Sequence, residues 1–304
     1  MRVHRSGNSR TTTGICAIAV GALLGCVVPS VAAAQGGTDV WVATFNEVGT
    51  HVSVGRPLNV TRRAGYDNQP SFSADGRTVY YTSTRADAQA DIWRVAAAGG
   101  PPSRVTDTPE SEYSALLTPD RLHLSVIRVE RDSTQRLWKF PLDGGSPALV
   151  LRALRPVGYH VWVGDYTLGT FVLGSPNALV VVDARTERAD TLARGIGRAL
   201  VKVPGRDAFS FVQQVGDTAW ISEADVRTRT VTRLASAPAR TEYHVWTPAG
   251  QLIIASGSRL WIRVGGRWDM LADFAELGVR GISRLALSPS GDRLAFVAED
   301  SVAP

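Results

Sequence analysis

The sequence predicts an all-β chain folded as a six-bladed β-propeller. A strand-and-turn unit recurs six times, a tryptophan recurs in one column, and the two ends of the chain each carry half a blade. With Ala74, Pro119, Gly164, Pro204, Pro248 and Pro289 in one column, the spacings are 45, 45, 40, 44 and 41 residues. A period in the low forties with strand-like content means four-stranded sheets set around an axis.

The first 34 residues stand apart from the repeats. Arg2, Arg5 and Arg10 give a basic start, 15–28 is an apolar run, and Ala32-Ala33-Ala34 precedes Gln35. That is the layout of a signal peptide over 1–34, cleaved after Ala34, with an apolar run too short to span a bilayer comfortably. Leu23-Leu24-Gly25-Cys26 also fits a lipobox, so a lipid anchor at Cys26 is the second reading. The expected product is a periplasmic or secreted propeller over 35–304, without a transmembrane segment.

The blades follow in order. Residues 39–43 read as a third strand and 56–61 as an outer strand. The best-kept repeat has an inner strand at 71–73, a turn at Ala74-Asp75-Gly76, and strands at 78–82, 91–95 and 103–106. Asp bonds its own backbone and Gly takes the positive φ that closes the hairpin; where Pro leads the turn it pre-sets the first corner. Gly99-Gly100, Gly144-Gly145 and Gly265-Gly266 mark the turns between third and fourth strands. The inner strands of the later units lead into Pro119, Gly164, Pro204, Pro248 and Pro289, and 293–297 is a last second strand. The two N-terminal strands pair with the two C-terminal strands in a Velcro closure that completes the sixth blade and leaves only short edges.

Trp41, Trp93, Trp138, Trp220 and Trp261 each fall in the third strand, with Val181 in the same place in one unit. A position repeated in nearly every blade points to shared packing, and these rings are expected to fill the wedge between sheets.

At residues 70–76 the signature Pro-x-aromatic-Ser-x-Asp-Gly is followed by Asp-Ile-Trp at 91–93 and Arg-Val-Thr at 104–106. This resembles TolB-type propeller repeats, and Gly65-Tyr-Asp-Asn-Gln69 leading into the repeat fits as well. The resemblance covers about 38–298 and implies the propeller alone, without the small N-terminal α/β domain of TolB. It implies a protein-binding role in the bacterial envelope.

Charge and motifs narrow the function further. Without the leader, 30 basic residues face 28 acidic ones, so no concentrated basic patch argues for nucleic acid. Both cysteines, Cys16 and Cys26, lie in the leader, which leaves no thiolate chemistry and no disulfide in the mature chain. There is no Gly-x-Ser-x-Gly elbow, P-loop, dinucleotide fingerprint or His-Glu-x-x-His helix.

The loops entering the inner strands are the least generic part of the chain. Asp67 and Asn68, Glu112 and Tyr113, Tyr159 and His160, Arg198, Glu242 with Tyr243 and His244, and Arg280 make a circuit of polar and aromatic residues. Such a ring can hold a polar ligand by charge-assisted hydrogen bonds; the same residues also fit a solvated rim whose Asp and Glu cap turns. His160 and His244 share one column and could face a divalent metal. Pro70, Ala115, Leu200 and Leu285 occupy the rest of that column and offer no ligands, so repeat inheritance is the simpler reading. The expectation is a monomeric binding or scaffold module with no metal or cofactor, contacting an envelope protein or peptide at the channel mouth. The rival is a channel-mouth hydrolase or lyase acting on an exported polymer.

Overall fold

The computed structural model describes residues 37–85, 87–238 and 241–300. The expected leader, with Cys26, lies outside these residues. Six antiparallel sheets follow one another around a channel, and each inner strand packs against the inner strand of the next blade. Blade 1 is Asp67–Phe72, Thr78–Thr84, Ala90–Ala96 and Ser103–Arg104, paired in chain order. Blades 2 to 5 repeat this order, beginning at Ser111–Leu117, Val157–Trp162, Ile196–Lys202 and His244–Trp246.

Blade 6 is the closure expected from the sequence. Its inner strands, Ser283–Leu287 and Arg293–Glu299, come from the C-terminal end, and Thr38–Val48 and Leu58–Asn59 supply the outer two. Trp41 lies opposite Phe296 on one side and Asn59 on the other. The ladder from Thr38–Glu299 to Thr44–Arg293 ties the two ends together along a whole strand.

A recurring device joins the third strand to the outer one. Asp39 accepts hydrogen bonds from Asn59 Nδ2 (2.7 Å) and Thr61 Oγ1 (3.0 Å), while Thr61 Oγ1 accepts one from Val40 N (3.0 Å). In blade 1, Asp91 accepts from Arg104 Nη2 (2.7 Å) and Thr106 Oγ1 accepts from Ile92 N (2.9 Å). The Asp of the Asp-x-Trp strand therefore serves to hold a short outer strand that has little ladder of its own. Without it, that edge would leave backbone groups unpaired.

Two features differ from the expectation. Among the five tryptophans of the third strand only Trp41 is buried; Trp93, Trp138, Trp220 and Trp261 are half-buried. Guanidinium groups lie over three of them: Arg85 over Trp93 at 3.7 Å, Arg128 over Trp138 at 4.7 Å and Arg233 over Trp220 at 5.4 Å. The wedge narrows towards the axis and opens outwards, so a third-strand ring reaches solvent on one side and an arginine covers it. Smaller residues fill the inner wedge, such as Val79, Leu124, Leu179, Ile253 and Leu294. The second difference is a hairpin: the first strand runs on to Val48 and turns back through His51–Val54, burying Phe45 and Val52 against blades 5 and 6.

Candidate functional site

The six inner strands run from the loops of one face, here the mouth, to the Pro- and Gly-marked turns of the other. At one level near the mouth, Gln69, Ser114, Tyr159, Ala199, Tyr243 and Arg284 occupy the same place in the six repeats and line a cavity of about 120 Å³. Three of them, Gln69 (φ 57°), Ser114 (φ 54°) and Arg284 (φ 53°), have left-handed backbone. Each lies in a register shift of its inner strand, between Asn68 and Ser71, Tyr113 and Leu116, and Ser283 and Ala286. A bulge of this kind bends a strand and re-aims a side chain that the regular pleat would place elsewhere.

Arg284 spans the channel from blade 6. Its Nη2 donates to Tyr159 Oη of the facing blade 3 at 3.0 Å, and its guanidinium lies 4.8 and 4.9 Å from the ring centroids of Tyr159 and Tyr243. Burial works against its charge, but the surrounding tyrosine hydroxyls, Tyr159 first, outweigh that and raise its pKa. Tyr66, Tyr113 and Tyr243 are pushed up by burial and stay neutral at ordinary pH. Above this level a wider cavity of about 340 Å³ opens between Tyr66, Tyr113, Gly158 and Leu173, and it shares Gln69, Tyr159 and Arg198 with the inner one.

The residues expected at the mouth divide into two sets. Tyr113, Tyr159, Tyr243 and Arg198 line the cavities, and His160 and His244 also reach the wall of the inner one. Asp67 and Glu112 are buried within their own blades. Asp67 accepts from Ser83 Oγ (2.6 Å) and Arg63 Nη1 (2.9 Å), and Glu112 from Arg128 Nε (3.0 Å) and Thr108 Oγ1 (2.5 Å). Burial raises the pKa of both carboxyls. Asn68 is buried between Thr38 Oγ1 and the backbone of Gln69. Glu242 accepts the Arg198 backbone N–H at 2.7 Å, where a glycine at 197 leaves room for its carboxylate. Arg280 is exposed and lines neither cavity.

His160 and His244 lock neighbouring blades together. Ser125 Oγ, from blade 2, lies 2.7 Å from His160 Nε2, accepts from Trp162 Nε1 at 2.9 Å and donates to Leu116 O at 3.0 Å. Ser210 Oγ, from blade 4, lies 2.7 Å from His244 Nε2, accepts from Trp246 Nε1 at 2.8 Å and has Val201 O at 3.3 Å. The bonds assign the tautomers. With the Ser125 proton on Leu116 O, His160 donates from Nε2 and its Nδ1, buried and without a partner among the described residues, is an acceptor. In His244, Nδ1 faces Glu242 O at 3.2 Å, so Ser210 donates to Nε2. Burial lowers the two pKas to about 3 and about 4, which keeps both rings neutral. Among the described residues no three His, Cys, Asp or Glu side chains converge as a metal site requires.

Sequence reasoning missed Arg284 and Gln69. The column that revealed the repeat also places them, five residues before each turn marker, but their bulges break the alternation by which a channel-facing residue is recognised. The opposite end of the channel is wider, about 590 Å³, and lined by residues such as Pro70, Phe72, Leu117, Trp162, Trp246 and Leu287. Its Lys202 donates to Val163 O.

Neither a model of a known family nor any curated protein matches the chain in sequence. Solved structures do match it in fold. A TolB-like structure from Agrobacterium tumefaciens is 17% identical with a TM-score of 0.66, covering 88% of this chain and 100% of that one. A gluconolactonase from Xanthomonas campestris is 11% identical with a TM-score of 0.61, covering 84% and 94%. A chain of a nidogen/laminin complex is 12% identical with a TM-score of 0.55, covering 88% and 100%. The fold is that of TolB-like propellers, and it also serves a lactonase, so the fold leaves the activity open. Among the described residues no helix is long and apolar enough to cross a membrane.

Proposed function

We propose that this chain is an exported binding or scaffold propeller that receives a protein or peptide of the cell envelope at the mouth of its channel. Backbone strain at one level carries this reading. Gln69, Ser114 and Arg284 are all held left-handed at the position that lines the cavity, at roughly 1–3 kcal/mol each. Strain repeated in three blades, against the sterics of non-glycine residues, is what a site under functional constraint retains. The mouth also offers tyrosine rings and an arginine, the side chains that anchor most protein interfaces.

A catalytic role finds less support. Asp67 and Glu112, whose pKas are raised, are bound inside their blades, and both histidines have a ring nitrogen committed to a serine. General acid–base work needs a titrating group within reach of the ligand. The basic and apolar leader with its Ala-rich end supports export, and the nidogen/laminin propeller is a precedent for the architecture within a protein complex.

Photoreactive residues at Tyr113 or Arg198, against Tyr166 on the opposite rim, test the reading in living cells. Adducts with an exported protein are expected from the mouth positions, and these should disappear when Tyr159 and Tyr243 are both replaced by Ala. Equal adducts from both rims, or adducts indifferent to the tyrosines, would contradict it.

A further inference from the structure

Arg284 carries more donors than its surroundings use. A guanidinium has five N–H groups in a fixed fork, and among the described residues one bond is made, to Tyr159 Oη. Among the described residues no carboxylate pairs with it, and it is only half-buried, with the rest of the fork open to the cavity. Tyr159 and Tyr243 flank it, with ring centroids 4.8 and 4.9 Å from Cζ, and the Tyr159 hydroxyl takes one N–H of the fork.

Two further groups on the same cavity wall have unused capacity. Ser114 Oγ is buried with no partner, on a residue held at φ 54°. His160 Nδ1 is likewise buried and unpartnered, in a ring that is 4% exposed. Buried polar atoms are almost always satisfied, and each exception left dry costs on the order of 1–3 kcal/mol. A fork of donors, a free hydroxyl and a bare imidazole nitrogen thus belong to residues that line one cavity. The first two suit a carboxylate and the third suits an N–H beside it.

We propose that Arg284 is the recognition centre for a carboxylate of the ligand, seated between Tyr159 and Tyr243 with Ser114 as a second donor and His160 accepting from a neighbouring N–H. This rests on the mouth being the contact surface. A peptide supplies the chemistry in two ways, through its C-terminus or through an Asp or Glu side chain. The inner cavity of about 120 Å³ admits one such group, and the 340 Å³ cavity outside it takes the adjoining residues. Recognition is then by a single inserted acid, with the chain lying across Tyr113 and Arg198.

The test follows the Arg284 Nε–H signal by NMR in the nitrogen-labelled protein. Acetate is the probe and acetamide its neutral counterpart. Acetate should shift the signal saturably and acetamide should not, and Arg284→Gln should abolish the response of the remaining cavity signals. Glutamine is already held in this backbone conformation at position 69, and Arg284→Lys, which keeps the charge without the fork, provides a second variant with a partial loss. Three pentapeptides separate the sources: a neutral one with a free C-terminus, an amidated one with an internal Glu, and an amidated neutral one. An acid-bearing peptide should bind at least tenfold more tightly than the neutral amide, and Arg284→Gln should erase the difference.

Acetate and acetamide acting alike, or discrimination that survives Arg284→Gln, would overturn the carboxylate site. If all three peptides bind equally and Tyr113→Ala weakens them, the site is wrong while the mouth remains the contact surface. If acetate shifts Arg284 and no peptide binds, the carboxylate site stands and the peptide reading of the mouth falls.

Discussion

At Ser125 every hydrogen-bonding capacity is used: two N–H groups donate to its oxygen and its proton goes to a backbone carbonyl. At Arg284, a short way along the same channel, one of five donors is engaged among the described residues. The wall and the mouth thus draw on similar polar residues, and they differ in whether the bonds close. A closed set fixes one blade against the next, because breaking it strands buried groups. An open set keeps its capacity for something that arrives later. Residue type alone does not separate the two.

The comparison is broken most severely at the serines. Ser125→Ala strands the Nε2–H of His160 and the Nε1–H of Trp162, and Ser210→Ala strands the Nε2 acceptor of His244 and the Nε1–H of Trp246. Each variant is expected to lose on the order of 3 kcal/mol in urea unfolding, with the acetate response of Arg284 unchanged. A loss below about 0.5 kcal/mol would mean that the blades do not depend on these bonds.

Acid is the next largest perturbation. Both histidines have folded-state pKas below their ordinary value of 6.5, at about 3 and about 4. The unfolded chain therefore takes up protons first, so stability is full above about pH 6.5 and falls as the pH drops towards those folded values. Between pH 7 and pH 5 each ring should cost about 2 kcal/mol. Asp67 and Glu112, with raised pKas, act in the opposite sense nearer their own range. Unfolding of His244→Gln beside the parent isolates the imidazole part, and an identical pH slope in the two would refute it.

At the mouth the expected balance reverses. Tyr159→Phe removes the hydroxyl that Arg284 donates to and keeps the ring. It should change stability by less than about 1 kcal/mol while weakening ligand binding by roughly three- to tenfold. Smallest of all is Arg280→Ala, an exposed residue lining neither cavity. Within about 0.5 kcal/mol it should change nothing in calorimetry or binding, and a clear loss of affinity would extend the contact surface beyond the channel.

Much of this was legible in the sequence. The turn column fixed six blades and the two half-blades at the ends fixed the closure, because turn chemistry and strand alternation are local signals. Tyr159 and Tyr243 were found through the same register. The fates of Asp67, Glu112, His160 and His244 were not, since their partners Ser83, Arg128, Ser125 and Ser210 lie 16, 16, 35 and 34 residues away. The serine partners could have been suspected: Ser125 and Ser210 share a column six residues after their turn markers, matched to His in the next blade. Arg284 was hidden by its bulge, which defeats the period-two rule. The hairpin at 45–54 had no repeat to copy, so nothing in the pattern marked it.

A crystal structure with the tightest-binding acid-bearing pentapeptide tests the division between wall and mouth most directly. The account predicts a carboxylate within hydrogen-bonding distance of Arg284, an N–H on His160 Nδ1, and the Ser125–His160–Trp162 and Ser210–His244–Trp246 bonds intact. A peptide lodged at the apolar end of the channel, or one that has opened either serine's bonds to reach a histidine, would contradict it.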